Sequence, residues 1–376
     1  MTHKKNFFDI HSQIKNYEKN ILNSIKKKVR KTDFVMGKDI NILEAKLKKK
    51  INANYCIAVS NGTSALELSL QAIDIKDGDE VITTSFSWIS SASCILSVGA
   101  KPVLVDINYS DYNINPDKIE KKITKRTKAI IVVNLFGKIA NFKKILKIAK
   151  KKKIKVIEDA AQSLGGKYNK KSSGILGDIG CTSFFPTKPL GCFGDGGAIF
   201  TNNKKVYQKL KSLRLNGKSQ NKFKFVGTNS RLDTIQASIL LEKMKYFDLE
   251  RSERLRLAKI YIDELSQVCK TPEYINDYSN IYSVFTILVE NRKKLIEKFL
   301  KEKLPFAIYY KKSLHEEPVF QKYKFKNKDF KNSIKISKKA ISLPIYPGMK
   351  KSLQYKIISL IKSQNKKISK TINFKN

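Results

Sequence analysis

From residue 55 onward the sequence alternates short β-branched runs with stretches of helical period, and this alternation narrows the possible folds more than any other feature. NYCIAVS precedes the helical TSALELSLQAI, DEVITT precedes WISSASCILSVG, and KPVLVDI precedes a helical stretch beginning NPDKIEKKI. KAIIVVNLF, the helical NFKKILKIAKKKK and the strand-like IKVIEDAA continue the pattern. Parallel strands need a long crossover, which a helix supplies, so the alternation predicts βαβ units and an α/β fold whose mostly parallel sheet is covered on both faces. GCTSFF and GAIFT are expected strands on either side of an unusual segment. One long helical stretch is expected from near Asp233 through Leu265, with Leu232, Ile235, Ile239 and Leu240 at helical spacing. After it, IYSVFTILVE, NRKKLIEKFLKEK, PFAIYY and SLQYKIISLIK predict a smaller α/β unit that closes over the first. The division falls between a large domain of residues 1–248, with an N-terminal helical segment, and a small C-terminal domain of residues 249–376.

Composition removes several function classes. The five cysteines, Cys56, Cys94, Cys181, Cys192 and Cys269, are far apart, form no C-x-x-C pair and cannot all pair within one chain, which fits a reducing cytoplasm and no metal site. No apolar run approaches the ~20 residues that span a bilayer, and the N-terminus has no signal-peptide core, so a soluble cytoplasmic protein without a membrane partner is expected. The formal charge of +42 invites a nucleic-acid partner. Lysine is instead spread over almost every expected helix, without one basic element interleaved with aromatics, so solvated helix faces are expected and no nucleic acid. Attraction of anionic small molecules is the plainer consequence.

In an open parallel sheet, ligands bind beyond the carboxyl ends of the strands, and three such places carry chemistry. In SNGTSALELSL a strand gives way at Gly62 to a helix opening at Thr63 and Ser64, a start suited to an anion such as phosphate. In KVIEDAAQSLGG, Glu158 and Asp159 end a strand and are followed by Ala160, Ala161 and Gln162; an acid there could hold a ribose, a metal or a protonated ring nitrogen, and the small residues would let a flat ring approach. In SFFPTKPLGCFGDGGA, Lys188 stands among prolines, phenylalanines and glycines, and between Lys171 and Lys204 the only other charges are Asp178 and Asp195. Desolvation of such an amine lowers its pKa and makes it a nucleophile able to form a Schiff base. A phosphate site, a carboxylate and such a lysine, in that order, are the parts that hold pyridoxal 5'-phosphate.

At this point the sequence resembles the fold-type I, pyridoxal-phosphate-dependent nucleotide-sugar aminotransferases of the DegT/DnrJ/EryC1/StrS family. The resemblance runs from FVMGKDINILEAKL to SLPIYPG and rests on NGTSAL, KPVLVDI, IEDAAQS, TSFFPTKPLGCFGDGGAIFT and NSRLDTIQASIL. It implies a seven-stranded sheet in the large domain, with Lys188 carrying the cofactor and moving a proton, Asp159 pairing with the ring nitrogen and Gln162 supporting the ring's polar edge. Trp88 would stack on the ring, Gly62, Thr63 and Ser183 would hold the phosphate, and Asn229 would reach the phosphate region of a neighbouring subunit, making a homodimer with shared active sites. Arg231 would take a carboxylate. L-Glutamate would donate the amine to a UDP- or dTDP-linked 3-keto or 4-keto hexose or hexuronic acid, the uronic-acid branch being most similar in wording. Many relatives read roughly YYPIPLH where this chain has IYYKKSLHEEP; Lys311 and Ser313 replace prolines, while Tyr310, Leu314 and His315 remain, in a loop that would face the sugar. A family dehydratase is the alternative enzyme, but those proteins carry histidine where Lys188 stands.

Overall fold

The computed structural model describes residues 7–275 and 277–372, with side chains to residue 363. Seven strands form one sheet: β1 (Tyr55–Val59), β2 (Glu80–Thr84), β3 (Lys101–Val105), β4 (Thr127–Val133), β5 (Lys155–Asp159), β6 (Ile179–Ser183) and β7 (Gly197–Thr201). Their spatial order is β1-β7-β6-β5-β4-β2-β3. Five strands, β6, β5, β4, β2 and β3, are joined by parallel pairing, and only β7 runs antiparallel to its neighbours, β1 and β6. Residues 184–196, which join β6 to β7, contain no helix, and a connection without a crossover leaves the next strand antiparallel.

Alternation along each strand divides the core between two faces. In β4, Ile131 and Val133 pack with Ile57, Val59 and Leu66, whereas Ile130 and Val132 pack with Phe142, Ile145 and Val156 on the other side. The mostly parallel sheet buried on both faces is therefore the one the alternating sequence specifies.

The expected single helix from Asp233 is two helices, Thr234–Lys243 and Phe247–Leu265. They serve different cores, which one straight helix could not reach. The first packs Ile239 against Ile21 of the Glu18–Arg30 helix, and Leu240 against Leu43 and Leu47 of the Lys38–Ile51 helix. The second sends Leu257, Tyr261 and Leu265 into a separate core with Phe285, Ile287, Phe299, Ile341 and Leu343. At the join, Tyr246 stacks on Tyr17 with centroids 4.2 Å apart.

That second core belongs to the C-terminal unit, whose strands Phe285–Leu288 and Ala340–Leu343 pair antiparallel beneath the Arg292–Lys301 helix. No helix among the described residues is long and apolar enough to cross a membrane.

Candidate active site

The carboxyl ends of β1, β2, β4, β5 and β6 open onto a cleft of about 710 Å³, closed on one side by Ser283, Val284, Tyr309 and Tyr310 of the C-terminal unit and by Phe8. Charge is scarce in it. Lys188 is the only cation among the described lining residues, facing Asp159, Glu67 and Asp195.

The Gly62–Ala72 helix starts where β1 ends because Asn61, extended, caps it by accepting from the Ser64 amide at 2.8 Å. The Ser64 amide is thus engaged. Those of Gly62 and Thr63 donate to nothing among the described residues and stand at the positive end of the helix. Thr63 Oγ1 donates to Ser90 Oγ at 2.8 Å. A Cβ on Gly62 would lie 2.8 Å from Ser183 Cβ, so glycine lets the helix start close on the end of β6.

β5 separates its two acids by alternation. Glu158 points into the protein, is wholly buried, and accepts from Asn134 Nδ2 at 2.8 Å, Ser173 Oγ at 2.7 Å and the Leu176 amide at 2.9 Å. Asp159 faces the cleft, where its carboxylate accepts from the Ala161 amide and from Ser91 Oγ, both at 3.1 Å. Burial raises its pKa, opposed by those hydrogen bonds and by the charge of Lys188.

Lys188 lies in the tight loop between β6 and β7, where its amide donates to the Phe185 carbonyl at 2.8 Å. Its Nζ has no hydrogen bond or ion pair among the described residues, and desolvation lowers its pKa, with Asp159 pulling the other way. The amine is thereby moved toward the neutral form.

Gln162 Oε1 accepts from the Phe136 amide at 2.7 Å, and its Nε2 points to the Tyr310 hydroxyl at 3.5 Å. Phe136, at φ 57, turns its ring to within 6.4 Å of Tyr310, and Trp88 lies 6.4 Å from Tyr310 on the other side. Trp88 is 60% exposed, a surface that suits a planar ligand better than a core. Ser283 Oγ also lines the cleft and is buried without a hydrogen-bond partner among the described residues.

Gly62, Thr63, Ser64, Trp88, Asp159, Gln162, Ser183, Lys188 and Tyr310 therefore meet in one cleft. Asn229 and Arg231 do not line it. Asn229 is exposed, and Arg231 is half-buried without a hydrogen bond or ion pair among the described residues. They follow an exposed apolar run, Phe223, Phe225 and Val226. The expected substrate contact of His315 needs correction: it is buried outside the cleft, with Nδ1 2.8 Å from Ser313 Oγ, Nε2 3.1 Å from Asn327 Oδ1, and its ring stacked on Phe330. Sequence reasoning passed over Phe8, Phe136, Ser91 and Ser283. Ser91 had a signal, since WISS follows strand β2, and so did Phe136, since NLFG follows β4. Phe8 and Ser283 had none, because they arrive from distant parts of the chain.

These residues fit a cofactor with a phosphate, a ring nitrogen and a carbonyl carbon: unengaged helix-start amides beside Ser183, a buried carboxylate, and an uncommitted amine in one cleft. The family model of the DegT/DnrJ/EryC1/StrS aminotransferase family matches residues 15–362. The chain is 38% identical over 343 residues, 91% of its length and 95% of the relative's, to the UDP-2-acetamido-2-deoxy-3-oxo-D-glucuronate aminotransferase of Pseudomonas aeruginosa. A crystal structure of a DegT DnrJ EryC1 StrS aminotransferase from Brucella abortus superposes with TM-score 0.92 at 36% identity, covering 95% of this chain and 98% of that one. A Bacillus subtilis protein crystallised with bound cofactor PMP superposes with TM-score 0.88 at 31% identity, covering 96% of this chain and 85% of that one. The chain belongs to the DegT/DnrJ/EryC1/StrS aminotransferase family, and it is a transaminase that depends on pyridoxal 5'-phosphate.

Proposed function

We propose that this transaminase moves the amino group of L-glutamate onto a keto sugar carried by a nucleotide, UDP or dTDP, with a 3-keto hexuronic acid as the first candidate. The observation that carries this is the presence of a desolvated Lys188 and the buried Asp159 in one cleft of a chain that is 38% identical to an aminotransferase of a UDP-linked 3-oxo-glucuronate. The product would feed surface polysaccharide or lipopolysaccharide synthesis in the cytoplasm.

Pyridoxal 5'-phosphate supplies an electron sink and an aldehyde that reacts with amines. The chain does the rest. The amides of Gly62 and Thr63, with Ser183, would hold the phosphate. Asp159, gripped by Ser91 and the Ala161 amide, would keep a proton on the ring nitrogen. Trp88 would stack on the ring, and Gln162 would support its polar edge. Lys188 Nζ, moved toward the neutral form by burial, would take a proton from the donor carbon in the first half of the cycle and deliver one to the acceptor carbon in the second. Closure of the cleft by Phe8, Tyr309 and Tyr310 excludes water.

The site would be completed by a second copy. Asn229 and Arg231 lie outside this chain's own cleft beside the exposed Phe223, Phe225 and Val226, an arrangement that suits a homodimer in which these residues reach the partner's cleft. The proposed division at 248/249 falls in the first turn of the Phe247–Leu265 helix, which carries Leu257, Tyr261 and Leu265 into the second core. The family dehydratase is disfavoured by the amine of Lys188 in the cleft.

The test is the visible absorption of protein loaded with pyridoxal 5'-phosphate, before and after L-glutamate, beside Lys188→Ala. A band that glutamate bleaches, missing in the variant, supports the proposal, and a panel of keto sugar nucleotides then identifies the acceptor. A band that glutamate leaves unchanged rules glutamate out as the donor.

A further inference from the structure

The two aromatic walls of the cleft are tied to one buried knot of hydroxyl groups. On the large-domain side, Ser85 follows strand β2 and stands three residues before Trp88. On the C-terminal side, Ser313 stands three residues after Tyr310. Ser313 Oγ donates to the Ser85 carbonyl at 2.9 Å, and the Leu314 amide donates to the same oxygen at 2.7 Å. Ser333 Oγ lies 3.0 Å from both Ser313 Oγ and Ser85 Oγ.

The knot is anchored at each end. The Ser333 amide donates to Asp106 Oδ1 at 3.0 Å just beyond β3, and His315 Nδ1 meets Ser313 Oγ at 2.8 Å. The Ser313 amide donates to Glu316 Oε2 at 2.8 Å, a bond no proline could make at this position. Ser85, Ser313 and Ser333 are wholly buried, so each hydroxyl that lost its partner would be left unsatisfied at a cost that solvent cannot relieve.

We infer that Ser313 is a positioning residue: through Ser85, Ser333 and His315 it sets how Tyr310 packs against Trp88, whose ring centroids lie 6.4 Å apart, and with it the shape of the cleft wall that substrate meets. It does not itself line the cleft. Its effect travels along the two residues that separate it from Tyr310 and along the matching two between Ser85 and Trp88. The inference rests on the cleft being the substrate site, as proposed above.

The chain contains one tryptophan, so its fluorescence reports this wall alone. Holoenzyme of the wild type, Ser313→Ala and Ser313→Thr is compared in acrylamide quenching of Trp88 and in the glutamate dependence of cofactor bleaching. Loosening that ring contact in Ser313→Ala is expected to raise the glutamate concentration for half-maximal rate about tenfold, with the limiting rate falling less than about threefold. Quenching of Trp88 should change about twofold in the same variant, and Ser313→Thr, which keeps the hydroxyl, should restore both. A folded Ser313→Ala protein with quenching and glutamate dependence both unchanged overturns the inference. If Ser313→Ala does not fold, Ser333→Ala is read by the same two measurements. If wild-type holoenzyme does not respond to glutamate, the donor proposal fails on its own, and the quenching comparison still decides whether Ser313 sets the packing of Tyr310 on Trp88.

Discussion

Ser91 Oγ donates to Asp159 Oδ2 at 3.1 Å, and the adjacent Ala161 amide donates to Oδ1, so both oxygens of one buried carboxylate are held by the chain. These bonds favour the ionised form and oppose, without cancelling, the burial that raises its pKa. Asp159→Asn keeps the shape and removes the charge, and turnover should fall more than about 100-fold. Ser91→Ala, which removes one of the two donors, should weaken cofactor affinity about tenfold, measured by absorbance titration with pyridoxal 5'-phosphate.

Lys243 gives a pH-dependent stability. Its side chain is 1% exposed, its Nζ has no hydrogen-bond partner among the described residues and lies 5.8 Å from the Phe193 ring centroid, and burial pulls its pKa from 10.5 to about 8, against the opposing pull of Glu250. The unfolded chain therefore holds this proton more tightly than the native one between about pH 8 and 10.5, and stability gains across that window as pH rises. Below pH 8 the full penalty applies. Lys243→Met should stabilise the protein by up to about 3 kcal/mol at pH 7, with a gain that shrinks toward zero near pH 10.5. Thermal unfolding at pH 7 and pH 10 checks this; an equal gain at both would mean that packing, not charge, is responsible.

Gly62 tests the close approach at the helix start. A methyl group there would sit 2.8 Å from Ser183 Cβ, so Gly62→Ala must push the helix start away from β6. Phosphate affinity should fall about tenfold or more, seen as a higher concentration of pyridoxal 5'-phosphate needed to load the protein, while the sheet itself remains folded by circular dichroism.

Shared sites make a distinctive prediction for mixed subunits. Lys188→Ala and the double variant Asn229→Ala/Arg231→Ala should each be nearly inactive alone. Unfolded together and refolded, they should recover about a quarter of wild-type activity, because half of the dimers then carry one complete site out of two. No recovery would place Asn229 and Arg231 in their own chain's chemistry.

The sheet was legible because alternating β-branched and helical segments are a local property of the chain, and so was the segment around Lys188, whose loss of charge and gain of glycine are visible in a short window. The motif residues at strand ends were legible for the same reason. His315 was misplaced because its role depends on Ser313, Asn327 and Phe330, which surround it only after the C-terminal unit folds. Phe8 and Ser283 were missed because only tertiary packing brings them to the cleft. The break between Thr234–Lys243 and Phe247–Leu265 was hidden because residues 244–246 contain neither glycine nor proline; two separate cores, not a local breaker, end the first helix.

The antiparallel strand β7 has a consequence for how the protein is made. β1 lies at the edge of the sheet with β7 as its only neighbour, so it stays unpaired until residues 197–201 have left the ribosome. Pairing across so much sequence is slow and leaves an apolar strand open to aggregation in the meantime. The same late event draws the Lys188 loop taut between β6 and β7 and brings Gly197 against Asn61. Capture of the cofactor is therefore a step that follows closure of the sheet, and nascent chains shorter than 201 residues should have no affinity for it.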